Sequence, residues 1–281
     1  MKSVTLHPLA LDRRRLLGAG AAALLVAGQC PALAAPRPKA LAFDGFALFD
    51  LRPVFAQAEE IFPGKGAALS AAWRSHIFEY TWLRVAAGRY APFEACIAGA
   101  LDFAVASLGL TLDAPDRARL LGAFAAIGAF PDVAPTLGAL RRAGYRLAVL
   151  TNPTRAFLDR ALANSGLDGL FEHVLSTDTA RTYRPAREAY ALGTEAFGLP
   201  AGDIGFVASA GWDAAGARWF GYRSYWLNRP GLPPEGLDAG AEVTVPGMSA
   251  LATALLAQAQ VARVGRTMIS FTSTSSGCST A

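Results

Sequence analysis

KALAFDGFALFD, residues 39–50, opens as an apolar strand, Ala40 to Phe43, and runs straight into Asp44. A strand that ends in a carboxylate followed by a loop places that carboxylate at the strand's C-terminal edge. Open α/β sheets build their ligand crevice at that edge. The alternative is that Asp44 only caps a turn or helix, as Asp often does. What decides between the two is the set of residues that the rest of the chain brings to the same edge.

Immediately after this stretch the pattern changes. Leu51-Arg52-Pro53 is expected as a hinge, since proline interrupts the periodicity. From Val54 to about Phe130 no strand is expected, and helices are read near Val54–Ile61, Gly66–Ala87, Pro92–Leu108 and Ala114–Ile127. In the second of these, Trp73, Ile77, Tyr80 and Trp82-Leu83 suggest a broad apolar face. Alternation then begins: helix Val133–Ala143, strand Arg146–Leu150, helix Thr154–Ser165, strand His173–Ser176, helix Ala186–Phe197, strand Ile204–Ala208, helix Asp213–Phe220, strand Arg223–Leu227. A short strand Glu242–Val245 and a helix Met248–Gln258 close the series. Strands alternating with helices mean parallel βαβ units. The expected fold is α/β, a doubly wound parallel sheet, with a helical cap inserted after the first strand. The implied division is a core of residues 35–53 and 131–258, a cap of residues 54–130 and a disordered Ser/Thr-rich tail of residues 259–281.

Residues 1–34 read as an export signal. Arg13-Arg14-Arg15 precede an apolar run, Leu16 to Ala27, and Ala32-Leu33-Ala34 forms a small-x-small cleavage site. The run is short for a bilayer span. Paired arginines before it point to the twin-arginine route and a periplasmic destination. The segment also explains the charge. The chain carries +4 in all, and Lys2 with the three arginines against Asp12 supplies +3 of it, which leaves +1. That balance, with no basic stripe among aromatics, gives no case for nucleic acid. Cys30, Cys96 and Cys278 have no metal-ligand or redox spacing, and Cys96 is expected in the core. His7, His76 and His173 are scattered, which argues against a histidine-rich metal site, and neither a metal nor a cofactor is expected.

Four strand ends carry chemistry. Asp44 follows the first, Thr151-Asn152 follow LAVL, Arg184-Pro185 lie in TYRPAREAY, and Asp213 ends FVASAGWD. In a parallel sheet these fall on one edge. A nucleophilic carboxylate, a hydroxyl, a fixed cation and a second carboxylate in one crevice suit displacement and hydrolysis. One carboxylate attacks carbon, the cation holds negative charge, and the other carboxylate directs water.

Five stretches in this order, FDGFALFDLRPV, AAWRSHIFEYTWLR, LAVLTN, FEHVLSTDTARTYRPAREAY and FVASAGWDAAGARWFGY, resemble the type II L-2-haloacid dehalogenases of the haloacid dehalogenase superfamily. The resemblance runs from about Lys39 to about Asn228. It implies hydrolysis of short (S)-2-haloalkanoic acids to (R)-2-hydroxy acids through an ester on Asp44. Arg74, on the inserted helices, matches the arginine that meets the substrate carboxylate and the halide. Asn152 and Trp212 match groups that cradle halide, Tyr190 matches an active-site tyrosine, and Phe46 lies beside the substrate. Thr151 stands where the family has Ser. Asp213 matches the carboxylate that activates water. The implied partner is a small molecule, with no membrane association after signal cleavage, and a homodimer is left open.

The sequence also departs from that family. The loop after Asp44 is one residue shorter, Arg184 replaces a lysine, and Ala208 and Ala210 stand where Ser and Asn are usual. Arg keeps the charge but is planar and differently hydrated. Two other functions therefore stay on the page. A phosphatase of the superfamily would need an acid-base Asp where this chain has Phe46, and oxygen ligands for Mg²⁺. A binding protein that keeps the fold without turnover would be consistent with the shortened loop and the lost polar groups. Halide release from 2-haloacids, measured beside a phosphatase panel, separates the three.

Overall fold

The computed structural model describes residues 37–257. The export signal and the tail read from the sequence lie outside the described residues. The apolar run leads: β1 (Ala40–Phe43) is buried along its whole length. It pairs in parallel with β4 (Arg146–Thr151) on one side and β6 (Ile204–Ala208) on the other. With β5 (His173–Ser176), β7 (Arg223–Leu227) and β8 (Val243–Val245) the sheet has six parallel strands in the order β5-β4-β1-β6-β7-β8. The order reverses direction around β1, so the C-terminal end of β1 is the topological switch point.

Side-chain alternation divides the core into two layers. Leu41, Phe43, Leu147, Val149 and Val207 face one cluster, and Ala40, Ala42, Ala148, Leu150 and Phe206 face the other. The first layer is covered by α6 (Val133–Arg142), α7 (Arg155–Asn164) and a closing helix at 248–257. The second is covered by α8 (Arg187–Phe197) and α9 (Gly211–Phe220). Fully burying a side chain such as Leu41 or Phe43 stabilises by roughly 1.5–3 kcal/mol. Parallel strands with both faces covered read as near-continuous apolar runs for this reason.

Between β1 and the rest of the sheet lie α2 (Arg52–Ile61), α3 (Gly66–Ala86), α4 (Phe93–Ser107) and α5 (Ala114–Ala125). These four helices form the inserted cap. Trp73 Nε1 donates to Ile97 O at 2.8 Å and ties α3 to α4. None of the described helices is long and apolar enough to cross a membrane.

Four local expectations are corrected. Pro53 does not break the chain; it sits in the first turn of α2, where its missing N–H costs nothing. The region up to Phe130 does contain a strand. After the one-turn helix α1 (Gly45–Leu48), β2 (Phe49–Asp50) pairs antiparallel with β3 (Gly128–Ala129), so both cap crossings run side by side. The buried stripe of α3 is Leu69, Trp73, Ile77 and Thr81, at steps of four, and Leu83 is 64% exposed. Finally, α9 begins at Gly211, so Asp213 lies in its first turn and not on a strand end.

Candidate active site

Asp44 decides the reading of its own stretch. It occupies the N-cap position of α1, yet its side chain makes no capping hydrogen bond. The carboxylate turns to the sheet edge and is 2% exposed. Three elements converge on it. Thr151, the last residue of β4, donates to Oδ1 at 3.4 Å. Ser209, just after β6, donates to Oδ2 at 2.6 Å. Arg184, from the loop before α8, pairs through Nη2 with Oδ1. Gly45 makes the arrangement sterically permissible, since a Cβ there would lie 2.6 Å from Thr151 Oγ1.

Arg184 spans two carboxylates. Its Nη1 stands 3.0 Å from Asp213 Oδ2, an ion pair by distance in which the N–H is not aligned as a hydrogen bond. The guanidinium is 2% exposed and lies 5.3 Å from the Phe206 ring centroid. Burial alone would lower its pKa, but Asp213 and Asp44 more than offset this and raise it. Asp213 is 1% exposed. Burial pushes its carboxyl up to about 6; Arg184 pulls against this, Asp44 adds repulsion, and a hydrogen bond from Tyr190 Oη at 2.6 Å offsets part of it. Two carboxylates share one cation here, so the cluster is short of positive charge.

A pH dependence follows from that imbalance. Between the ordinary carboxyl value of 3.8 and about 6, folded Asp213 holds a proton that the unfolded chain has released. Stability is therefore higher at the acid end of this window and is lost as pH rises through about 6. Carboxyls held low by arginines tilt stability the other way at the acid end in both proteins, so the difference in denaturation free energy between the wild type and Asp213→Asn from pH 4 to 8 should carry this slope. A wild-type curve parallel to that of the variant would contradict the shift.

The other anticipated residues divide. Arg74, on α3, is exposed, lines the cavity between cap and sheet, and has no partner among the described residues. Phe46 lines the same cavity and packs on Phe78, Phe93 and Phe124. Trp212 is half-buried against the cap, with ring centroids 5.4 Å from Phe78 and 5.2 Å from Trp82. Asn152 and Tyr190 are both buried. Asn152 Oδ1 accepts from the Arg184 backbone N–H at 3.4 Å and from Thr177 Oγ1 at 3.3 Å, so this oxygen holds the loop that delivers Arg184. Tyr190 is fully buried and its hydroxyl orients Asp213, away from the cavity. Gly216 on α9 permits this, because a Cβ there would lie 2.6 Å from Tyr190 Oη.

Ser209 was not anticipated. Attention to Ala208 and Ala210 hides the hydroxyl between them, although it is the one side-chain oxygen from Ala208 to Gly211. Among the described residues no three His, Cys, Asp or Glu groups gather as metal ligands.

The pattern of the haloacid dehalogenase-like hydrolases matches residues 24–221. Haloacetate dehalogenase H-2 of Moraxella sp. (strain B) is 40% identical over 214 residues, 76% of this chain and 96% of that protein. The chain belongs to the haloacid dehalogenase-like hydrolases. The (S)-2-haloacid dehalogenase of Pseudomonas sp. (strain YL) is 41% identical over 194 residues, 69% of this chain and 84% of that one. A crystal structure of an L-2-haloacid dehalogenase matches with a TM-score of 0.77 at 42% identity, covering 78% of this chain and 99% of that one. The Xanthobacter autotrophicus L-2-haloacid dehalogenase with chloropropionic acid covalently bound matches with a TM-score of 0.70 at 30% identity, covering 77% and 97%. In this family member the hydroxyl on Asp44 Oδ2 comes from Ser209, and the cation is an arginine.

Proposed function

We propose that the protein is an (S)-2-haloacid dehalogenase that forms a covalent ester on Asp44. The observation that carries this is a buried carboxylate held by Thr151, Ser209 and Arg184 beside a cavity with the partnerless guanidinium of Arg74 in its wall. The substrate carboxylate pairs with Arg74. Oδ2 of Asp44, held by the cavity-lining Ser209, attacks C2 from behind as the carbon–halogen bond breaks. Halide leaves, C2 inverts, and the (S)-acid becomes an ester of (R) configuration. An ionised carboxylate needs no activation for this step.

Ester hydrolysis uses the opposite oxygen. Asp213 takes a proton from water, and the oxygen attacks Cγ of Asp44. Negative charge then develops on Oδ1, where Arg184 and Thr151 already donate. Donors preset at that position lower the barrier without reorganising. Collapse breaks the ester bond, the (R)-2-hydroxy acid departs with the proton, and Asp44 is regenerated. Asp213 must be ionised to accept a proton. Burial holds its carboxyl up at about 6 in the free enzyme, but in the ester Asp44 is neutral and no longer repels it, so Asp213 titrates lower there and the hydrolytic step should slow only below that lower point. Rapid-quench decay of the ester against pH measures this, and a rate with no acid limb down to pH 4 would remove Asp213 from the step.

Arg74→Lys tests the binding half. A guanidinium meets a carboxylate with paired hydrogen bonds that an ammonium cannot reproduce. The variant should lose about 10- to 100-fold in kcat/KM, the cost of about 1.5–3 kcal/mol for a charged hydrogen bond. Steady-state halide release with unchanged constants would return Arg74 to a surface role.

Export through the twin-arginine route is proposed on the sequence of residues 1–34 alone. The mature chain should begin near Ala35 in the periplasm. N-terminal sequencing of protein from a periplasmic extract tests this, and an intact Met1 recovered only from the cytosol would refute it.

A further inference from the structure

The cavity beside Asp44 is larger than displacement on a short acid requires. It holds about 600 Å³, within the range of about 300–1,000 Å³ typical of sites for drug-sized ligands. An acid such as 2-chloropropionate has few non-hydrogen atoms and fills only a small part of that space. Its walls combine two kinds of surface. Ser209, which donates to Asp44, and Arg74 supply polar groups. Much of the rest is an aromatic and aliphatic stretch, with Phe55, Phe78, Phe124 and Leu227. Phe130, also in the wall, lies between the Arg52 and Arg229 guanidiniums, 5.4 and 3.9 Å from its centroid. Both arginines are occupied, by Asp50 and Asp132, so neither offers a free cation to a second acid group.

Ala210 also lines this space, and its side chain ends at Cβ. The family that the sequence resembles carries Asn at this position. The smaller, apolar residue leaves room beside Ser209 for an apolar group.

We propose that the preferred substrate carries a large apolar group on C2, most simply an aryl ring, as in a 2-halo-3-arylpropanoic acid. The proposal rests on the dehalogenase reading above and specifies its substrate class. With the carboxylate on Arg74 and C2 against Asp44, the C2 substituent is the part of the substrate left to enter the apolar stretch. Aromatic walls meet a ring edge-to-face, a geometry that adds to simple burial.

The test uses the intact protein. Halide release gives kcat/KM for (S)-2-bromo-3-phenylpropanoate and (S)-2-bromopropanoate, and calorimetry gives the affinities of unhalogenated 3-phenylpropanoate and propanoate. The aryl acid should be favoured at least about tenfold in both, within the discrimination an apolar pocket supplies. Ala210→Asn should cut that ratio severalfold, since it takes up part of the space beside Ser209 with a polar group. Halide release with equal or lower kcat/KM for the aryl acid overturns the proposal and leaves the dehalogenase reading standing. No halide from either acid, with 3-phenylpropanoate still bound about tenfold tighter, overturns the chemistry and upholds the aryl site. No halide and no preference in binding overturns both.

Discussion

Asp44→Asn lowers turnover by about ten-thousand-fold or more, the scale seen when a covalent nucleophile is removed. The amide nearly matches the carboxylate in shape, so the fold should survive. Its oxygen can still accept from Arg184 and Thr151, and the Ser209 hydroxyl can rotate to accept from the new N–H. The variant also removes one of two negative charges from a cluster with a single cation. Asp213 should therefore titrate lower, and stability near pH 7 should not fall. Loss of activity with an intact fold isolates the nucleophile from structural damage. Single turnover of the wild type in ¹⁸O-water then identifies the atom transferred. Covalent catalysis gives an unlabelled first product and leaves heavy oxygen in the Asp44 carboxylate, which mass spectrometry of the peptide detects. A labelled first product would mean that water attacks C2 directly.

The largest expected effect on stability belongs to Arg184. Its guanidinium is buried between Asp44 and Asp213 over the Phe206 ring. Arg184→Met keeps much of the volume and removes the charge, which leaves two buried carboxylates facing each other. Breaking a buried pair by deleting one partner costs about 3–5 kcal/mol. Protonation relieves it, since Asp213 already titrates near 6 and the missing cation pushes it higher. The deficit should therefore be largest at pH 7 and above and shrink toward pH 5. Arg184→Lys keeps the charge and should lose less, about 1.5–3 kcal/mol, the worth of one charged hydrogen bond. Urea denaturation of both variants at pH 5 and 7.5 checks this. A loss in Arg184→Met that is independent of pH would point to packing as the cause.

Much of this architecture could be read from the chain because its signals are local. Ala40–Phe43, Arg146–Thr151 and Ile204–Ala208 are short apolar runs between turns, and a parallel sheet covered on both faces needs such runs. Once the strands were parallel, Asp44, Thr151 and Arg184 had to share an edge. The four helices after β1 were visible for the same reason, since period and punctuation lie within each segment. The paired crossings β2 and β3 were not. Each is two residues long, and no local pattern distinguishes two residues of strand from loop.

The sequence by itself determined the sheet, the insertion and the place of Asp44 at the end of β1, because backbone sterics and apolar periodicity act over a few residues. Only the tertiary structure decided which polar atoms meet. It put the Ser209 hydroxyl on Asp44, although the flanking alanines suggested a bare loop. It set the Tyr190 hydroxyl on Asp213 and the Asn152 oxygen on the loop that carries Arg184. It buried Asp213 near Asp44 with one arginine between them, and burial raised the Asp213 carboxyl to about 6 against the pull of that arginine. Hydrogen bonds and pKa values depend on distances of a few ångströms between residues far apart in the chain. The order of residues along the chain does not carry those distances until packing brings the groups together.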